Sequence, residues 1–273
     1  MSAQIIDGRA IAQTIIAELT EKIKTFPRPL TLSHFVGTND PAIQSFIRIK
    51  RRVAGELGVE VFEEDVRALS TQELVAKIAS CQSDGIIVQF PLPENVDKVV
   101  ARNAVPLQKD VDVISDTAMQ AFEAGTIPVI PPVAGAIEAI IQTHHMRVEG
   151  KKAVIVGEGW LVGKPAGILL RHMGAQVVSV RKQTADVARY TKEADIVVLG
   201  AGSPGLLTPH MIQKGAIVFD AGTSEEGGKM LGDADPACAD VASFITPVPG
   251  GIGPITVAMI FKNLLALVRS NES

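Results

Sequence analysis

The segment Ile245-Thr-Pro-Val-Pro-Gly-Gly-Ile-Gly-Pro-Ile-Thr-Val-Ala-Met-Ile260 constrains the fold of this chain more than any other stretch. Three prolines and three glycines lie between Pro247 and Pro254, and an apolar helical sequence follows at once. A linker would be polar on both flanks, whereas Val241-Ala-Ser-Phe-Ile-Thr246 and Ile255-Thr-Val-Ala-Met-Ile-Phe261 are largely apolar. Proline fixes φ and removes an N–H donor, while glycine permits sharp turns and close backbone approach. Pro254 suits the first helical position. The expected product is a rigid shelf, nearly free of side chains, that ends in a helix N-terminus with outward-facing N–H groups. A tight turn that only caps a C-terminal helix fits the same residues.

The 273 residues suit one large or two modest domains, and a hydrophobic share of 47% leaves ample material for a core. A net charge of −4 gives no overall basic footprint for nucleic acid. No uninterrupted apolar run reaches membrane-span length and no signal-like segment opens the sequence, so no membrane partner is expected. Cys81 and Cys238 stand apart, which fits a reducing, cytoplasmic setting better than a disulfide framework. His34, His144, His145, His172 and His210 show no ligand-type spacing, so no metal is expected.

Strand-like and helix-like segments alternate along the chain. Asp7 can cap a helix with an Ile11, Ile15, Leu19, Ile23 face. Leu30 to Val36 reads as a strand, and Asn39-Asp40-Pro41 opens a helix that Gly58 closes. Val59 to Phe62 is strand-like, Ser70-Thr-Gln-Glu73 is a capping box, and Gly85 to Phe90 resembles a buried parallel strand. The second half repeats the pattern: a helix over 136–144, then strands at 152–156, 176–180, 195–199 and 216–220. The proline-rich stretch 127–132 marks a boundary between the halves. The expected class is α/β, with two α/β lobes and a ligand cleft between them.

Val154-Ile-Val-Gly157-Glu158-Gly159-Trp-Leu-Val162-Gly163-Lys-Pro165 follows a strand and opens a helix. That is the context of a dinucleotide site, where pyrophosphate rests against a helix N-terminus. The spacing is G-x-G-x-x-x-G rather than G-x-G-x-x-G, and a purely structural strand–turn–helix is the alternative. The next strand ends in Arg181-Lys182, which favours the extra phosphate of NADP, whereas the Glu158 carboxylate favours NAD.

Phe46 and Lys50 lie four apart on one predicted helix and so share a face. A ring beside an amine can hold a flat heterocycle while the amine moves protons, provided burial or nearby cations lower its pKa. Arg48, Arg51 and Arg52 could contribute or could point to solvent. From the residues alone this is a solvated basic helix face with an apolar side.

Several blocks resemble the bifunctional methylenetetrahydrofolate dehydrogenase/cyclohydrolases. TPVPGGIGPIT is similar to that family's C-terminal signature. Phe46-Ile-Arg-Ile-Lys50, led by Val36-Gly37, resembles its Y-x-x-x-K motif; Asp84-Gly-Ile-Ile-Val88-Gln89-Phe-Pro-Leu-Pro93 resembles D-G-x-x-V-Q-x-P-L-P; and Pro106-Leu-Gln-Lys-Asp110-Val-Asp112 resembles P-x-K-D-V-D-G. The resemblance spans Val36 to Ile260 and implies a Rossmann-like doubly wound parallel sheet in the second lobe, with the C-terminal helix returning to the first. It implies a folate-binding catalytic domain of residues 1–118 plus 248–273 and a dinucleotide-binding domain of 119–247.

By the same resemblance, Lys50 carries the proton work, Gln89 holds the lysine and Asp112 reads the amino-pyrimidine edge of the pterin. Phe46, Val88, Pro249, Gly250 and Gly251 contact substrate, with the shelf closing over it. Gly157, Glu158, Gly159, Val162, Gly163, Arg181, Lys182, Ala201, Gly202, Ser203, Thr223 and Thr246 bind NADP. The implied activity is NADP-dependent oxidation of 5,10-methylenetetrahydrofolate to the methenyl form and hydrolysis to 10-formyltetrahydrofolate, in a cytoplasmic homodimer.

The chain departs from the family pattern at several places. Phe46 replaces a tyrosine, Glu158 and Gly159 replace the Arg-Ser that reads phosphate, and Lys182 stands for a serine. Val113 follows Asp112 where the family has glycine, and Ile130-Pro-Pro132-Val-Ala-Gly135 replaces P-C-T-P-x-G. Two alternatives follow from these departures: a paralogue that binds folate or nucleotide without efficient turnover, and an enzyme that keeps only the cyclohydrolase step.

Overall fold

The computed structural model describes residues 2–272. In chain order the first elements are β1 (Gln4–Ile5), α1 (Gly8–Ile23), β2 (Thr31–Val36), α2 (Pro41–Leu57), β3 (Glu60–Asp65), α3 (Thr71–Ala79) and β4 (Gly85–Gln89). Next come α4 (Lys98–Asn103), α5 (Asp116–Glu123), α6 (Pro132–Thr143), β5 (Lys152–Val156), α7 (Gly163–His172), β6 (Gln176–Val180) and α8 (Val187–Thr191). The last are β7 (Ile196–Leu199), β8 (Ile217–Asp220), β9 (Ser224–Glu226), β10 (Lys229–Leu231), β11 (Phe244–Ile245) and α9 (Ile252–Asn271). They form two compact units, Met1–Ala12 with Val133–Thr256, and Gln13–Pro132 with Val257–Ser273.

The second of these units carries a three-stranded parallel sheet in the order β3-β2-β4. Side chains alternate across a strand, so register decides which residues share a face. Phe35, Ile86 and Val88 point into a core with Leu74 and Ile78 of α3. His34 lies opposite Ile87 and Val36 opposite Gln89, which puts His34 and Gln89 together on the other face. The capping box at Ser70 is present, with Glu73 N–H donating to Ser70 Oγ and Ser70 N–H donating to the Glu73 carboxylate.

Helix α9 is long and apolar enough to cross a membrane, yet 67% of its most hydropathic window is buried in the protein. Its Leu264 packs against Gly85, where an added Cβ would come within 2.8 Å of Leu264 Cδ1. Asn263 Nδ2 donates to the carbonyls of Val111 and Ile130, both at 2.8 Å. It is a core helix whose one buried amide is satisfied by loop carbonyls.

The other unit is a six-stranded sheet in the order β1-β11-β8-β7-β5-β6, parallel throughout. From β5 the chain adds β6 on one side and then β7 on the other. Ligands of doubly wound sheets bind beyond the strand C-termini at such a reversal. The turns after β5 and β7 begin at Gly157 and Gly200, so both open at this point.

Two expectations need correction. Helix α9 starts at Ile252, so Pro254 is its third residue rather than its first; every N–H of a first turn lacks a helical partner, so proline is accommodated there too. Helix α6 starts at Pro132, not Ala136, which moves the proline-rich boundary into a helix N-terminus.

Candidate active site

Helix α2 buries Ile47, Val53, Ala54 and Leu57. Lys50 falls on that same stripe, one turn after Ile47, so its stem is carried inward. The three nearby arginines face outward instead: Arg51 pairs with Glu63, Arg52 with Glu56 at 3.5 Å, and Arg48 donates to Ser45 Oγ at 2.6 Å. Lys50 Nζ donates to Gln89 Oε1 at 2.8 Å, and Gln89 Nε2 donates to the Phe90 carbonyl at 2.9 Å. Burial pushes the Lys50 pKa down, and the Asp112 carboxylate opposes that shift. Asp112 is pushed up by its own burial against the pull of Lys50. Burial thus moves the Lys50 amine toward the range where it can both take and give a proton, while the Asp112 charge holds part of that shift back.

The Asp110-Val-Asp112 pair divides its labour. Asp110, wholly buried, accepts from the N–H groups of Ile114 at 3.0 Å and Ser115 at 2.9 Å, and burial raises its pKa to about 6. It holds the turn, leaving Asp112 as the carboxylate coupled to Lys50. Val113 adopts φ 54°, a left-handed conformation that a β-branched residue takes only under strain. This is the position where the resembled family carries glycine.

Phe46 sits half-buried one helical turn before Lys50. Val88 is 1% exposed and its side chain belongs to the core, so only its backbone can meet a ligand. Pro249, Gly250 and Gly251 belong to the other unit. There the shelf packs on the start of α1: Gly8 N–H donates to Gly250 O at 3.0 Å, and a Cβ on Gly8 would lie 1.8 Å from Gly251 O.

In the same unit, the turn after β5 is built on backbone approach. Gly157 has φ 106°, and a Cβ there would meet Gly200 O at 2.4 Å. A Cβ on Gly163 would lie 1.7 Å from Gly157 O. Gly159 has no neighbour within 4 Å of such an atom, so the compact pair is Gly157 with Gly163 and the middle glycine is spatially unconstrained. Val162 caps α7 with no side-chain hydrogen bond. In the first turn Lys164 N–H donates to Gly159 O at 3.0 Å and Pro165 carries no N–H, so Gly163 N–H is the donor that the opening of this helix offers to another acceptor. A cradle of this kind, narrow and lined by backbone, fits a pyrophosphate. At the neighbouring strand end, Glu158 forms an ion pair with Arg181, while Lys182 is exposed.

Two buried acids, neither of them anticipated, organise the later loops. Asp233 accepts from the N–H groups of Ala201 at 2.7 Å, Gly202 at 3.1 Å and Ser203 at 2.6 Å. Asp220 in turn accepts from Gly222, Asp233 and Ala234, at 2.9, 3.1 and 2.8 Å. Thr246 Oγ1 accepts from Asp220 N–H at 2.7 Å, so its hydroxyl is committed to the same network. Thr223 lies exposed just beyond it. The N–H groups of residues 201–203 face Asp233, Ala201 packs on the core and Ser203 O accepts from Leu206 N–H at 3.2 Å. This leaves the Ser203 side chain and the carbonyls of Ala201 and Gly202 for a ligand.

Residues 6–112 match the profile of the tetrahydrofolate dehydrogenase/cyclohydrolase catalytic domain, and residues 131–272 match that of its NAD(P)-binding domain. The bifunctional protein FolD of Halothermothrix orenii is 38% identical over 278 residues, covering 95% of this chain and 96% of its own. The chain belongs to the tetrahydrofolate dehydrogenase/cyclohydrolase family.

Solved family structures superpose closely. The methylenetetrahydrofolate dehydrogenase/cyclohydrolase of Campylobacter jejuni gives a TM-score of 0.92 at 30% identity, covering 99% of this chain and 100% of that one. The Trypanosoma brucei enzyme, complexed with NADP and an inhibitor, gives 0.92 at 31% identity with full coverage of both chains. Lys50, Gln89 and Asp112 lie in the segment matched to the family's catalytic domain, and Gly157 to Gly163 in the segment matched to its NAD(P)-binding domain. Sequence reading passed over His34, which contacts Gln89. Its signal was a titratable side chain inside a strand that carries no other charged or titratable residue.

Proposed function

We propose that this chain oxidises 5,10-methylenetetrahydrofolate to the methenyl form with NADP, then hydrolyses that product to 10-formyltetrahydrofolate. The Lys50–Gln89 hydrogen bond carries the assignment: it places a buried, acid-coupled amine in a chain of this family. NADP supplies the hydride acceptor. Gly157, Val162 and Gly163 would receive its pyrophosphate, Arg181 and Lys182 its adenosine phosphate, and residues 201–203, Thr223 and Thr246 its nicotinamide half.

In the hydrolytic step, Lys50 as amine takes a proton from the water that adds to the methenyl carbon. As ammonium it returns that proton to the ring nitrogen whose bond to the carbon breaks, while the remaining hydroxyl proton leaves to solvent as the formyl carbonyl forms. Gln89 orients the amine, Asp112 accepts from the pterin's amino-pyrimidine edge, and Phe46 stacks on the ring. Phe46 keeps an aromatic face without a hydroxyl, so it contributes stacking alone.

The unit holding Lys50 serves as the folate-binding domain and the six-stranded unit as the dinucleotide-binding domain. A reducing cytoplasm suits the free thiols Cys81 and Cys238, and a homodimer is the assembly the family resemblance suggests. Light scattering of the purified chain tests the latter.

The decisive assay supplies purified protein with methylenetetrahydrofolate and NADP and follows methenyl absorbance, then measures hydrolysis of added methenyl substrate. Both reactions are expected, and Lys50→Met should lower the second by at least about 100-fold. Absence of methenyl formation with either NADP or NAD removes the dehydrogenase. Hydrolysis no faster than the blank removes the cyclohydrolase.

A further inference from the structure

His34 is 2% exposed in the middle of β2, on the strand face it shares with Gln89. Its Nε2 lies 3.2 Å from Gln89 Oε1, the same oxygen that accepts from Lys50 Nζ at 2.8 Å. The other end of the amide is also engaged, since Gln89 Nε2 donates to the Phe90 carbonyl. Because Oε1 can only accept, the imidazole must carry its proton on Nε2. Burial, and then the Lys50 charge, lower the His34 pKa to about 3, so the ring stays neutral across the working pH range.

We propose that His34 is a positioning residue for Lys50: its Nε2–H holds the Gln89 amide with the oxygen toward the amine. The two ends of an amide are nearly the same size, so rotation by half a turn is sterically cheap and swaps an acceptor for a donor. A flipped Gln89 would point an N–H at Lys50. Once Lys50 is in the amine form, that N–H would occupy the lone pair that has to take the proton from water. His34 opposes this state, because its Nε2–H would then face a second donor. The oxygen-in state instead gives the ammonium a fixed acceptor and leaves the amine's lone pair free. This role rests on the assignment of Lys50 as the proton-transfer group.

The test compares His34→Leu, which fills the space without a donor, with His34→Gln, whose Nε2 can restore one. Expected for His34→Leu is a fall of about tenfold in kcat for methenyl hydrolysis with KM within about twofold. The Lys50 titration, read from side-chain carbon shifts in lysine-labelled protein and assigned with Lys50→Met, should move down by about half a pH unit or more. His34→Gln should recover kcat to within about threefold of wild type. In the unmutated protein, imidazole nitrogen shifts should report the Nε2–H tautomer.

An Nδ1–H tautomer, unchanged kcat and Lys50 titration in His34→Leu, or equal losses in both variants would overturn the proposal. The tautomer and the titration need no turnover. A wild-type protein inactive toward folates would therefore sink the functional assignment while those two measurements still decide the amide lock.

Discussion

Gly8→Ala should weaken the unit that contains the shelf, against the usual sign of a glycine-to-alanine change in a helix. Gly8 is the first residue of α1, where alanine ordinarily helps by up to about 1 kcal/mol. Here the new Cβ would lie 1.8 Å from Gly251 O, 2.6 Å from Gly251 C and 2.8 Å from Gly250 O, all backbone atoms. No rotamer change relieves a backbone clash, so the shelf must retreat by more than about 1 Å to reach ordinary contact. That movement breaks the 3.0 Å hydrogen bond from Gly8 N–H to Gly250 O. Losing the bond costs about 1 kcal/mol and the forced overpacking about 1–3 kcal/mol, for a net loss of roughly 1–3 kcal/mol after the helix gain.

Urea unfolding followed by the single tryptophan, Trp160, reports on this unit because residue 160 lies in it. Gly253→Ala is the control: it sits in the first turn of α9 with no atom within 4 Å of the added Cβ, and should be neutral or mildly stabilising. If Gly8→Ala unfolds at the same urea concentration as wild type, the close approach of the shelf to α1 is wrong.

Other perturbations separate the remaining elements. Glu158→Gln removes a carboxylate beside Arg181 and should tighten NADP about three- to tenfold at low salt, with NAD changed by less than about twofold; parallel titrations decide it, and equal effects on both cofactors would refute the docking. Glu158→Arg with Gly159→Ser should tighten NADP further, since the space around Gly159 is open. Asp220, raised by burial from 3.8 to about 6, keeps its proton in the folded chain to higher pH than in the unfolded one. The folded state therefore binds more protons between about pH 4 and 6, and the stability linked to this carboxyl falls, by up to about 3 kcal/mol, as pH rises through that window. Asp220→Asn removes this dependence, so any stability advantage of wild type over the variant should shrink from pH 4.5 to 7. Urea midpoints that keep a constant or growing gap would contradict the assignment.

The elements that were legible in the chain are those whose signals are local. The Ser70–Glu73 capping box, the Asp7 cap and the buried parallel strand at residue 85 each need only neighbours a few residues away, and each is present. Short elements escaped this reading. β1 and β11 are two residues each and exist because they pair with each other and with β8, a partnership that no local pattern announces. From the residues alone the basic segment from Arg48 to Arg52 read as a solvated face with an apolar side, because composition does not say that Lys50 falls on the stripe of Ile47, Ala54 and Leu57 while the arginines face away.

By itself the sequence determined the α/β class, the strand–turn–helix over residues 152–172 and the family, since periodicity, capping and motif spacing are properties of the chain alone. It also marked the stretch from Pro247 to Pro254 as a shelf, through residues whose backbone restrictions travel with them. Only the tertiary structure decided that Gly8 is what the shelf packs against, that Gly157 pairs with Gly163, and that Asp110 holds a turn while the Asp112 charge acts on Lys50. It alone joined His34 to Gln89, 55 positions apart. The physical reason is the same in each case: hydrogen bonds, steric limits and burial depend on distance in space, and sheet register and helix rotation bring distant residues to it.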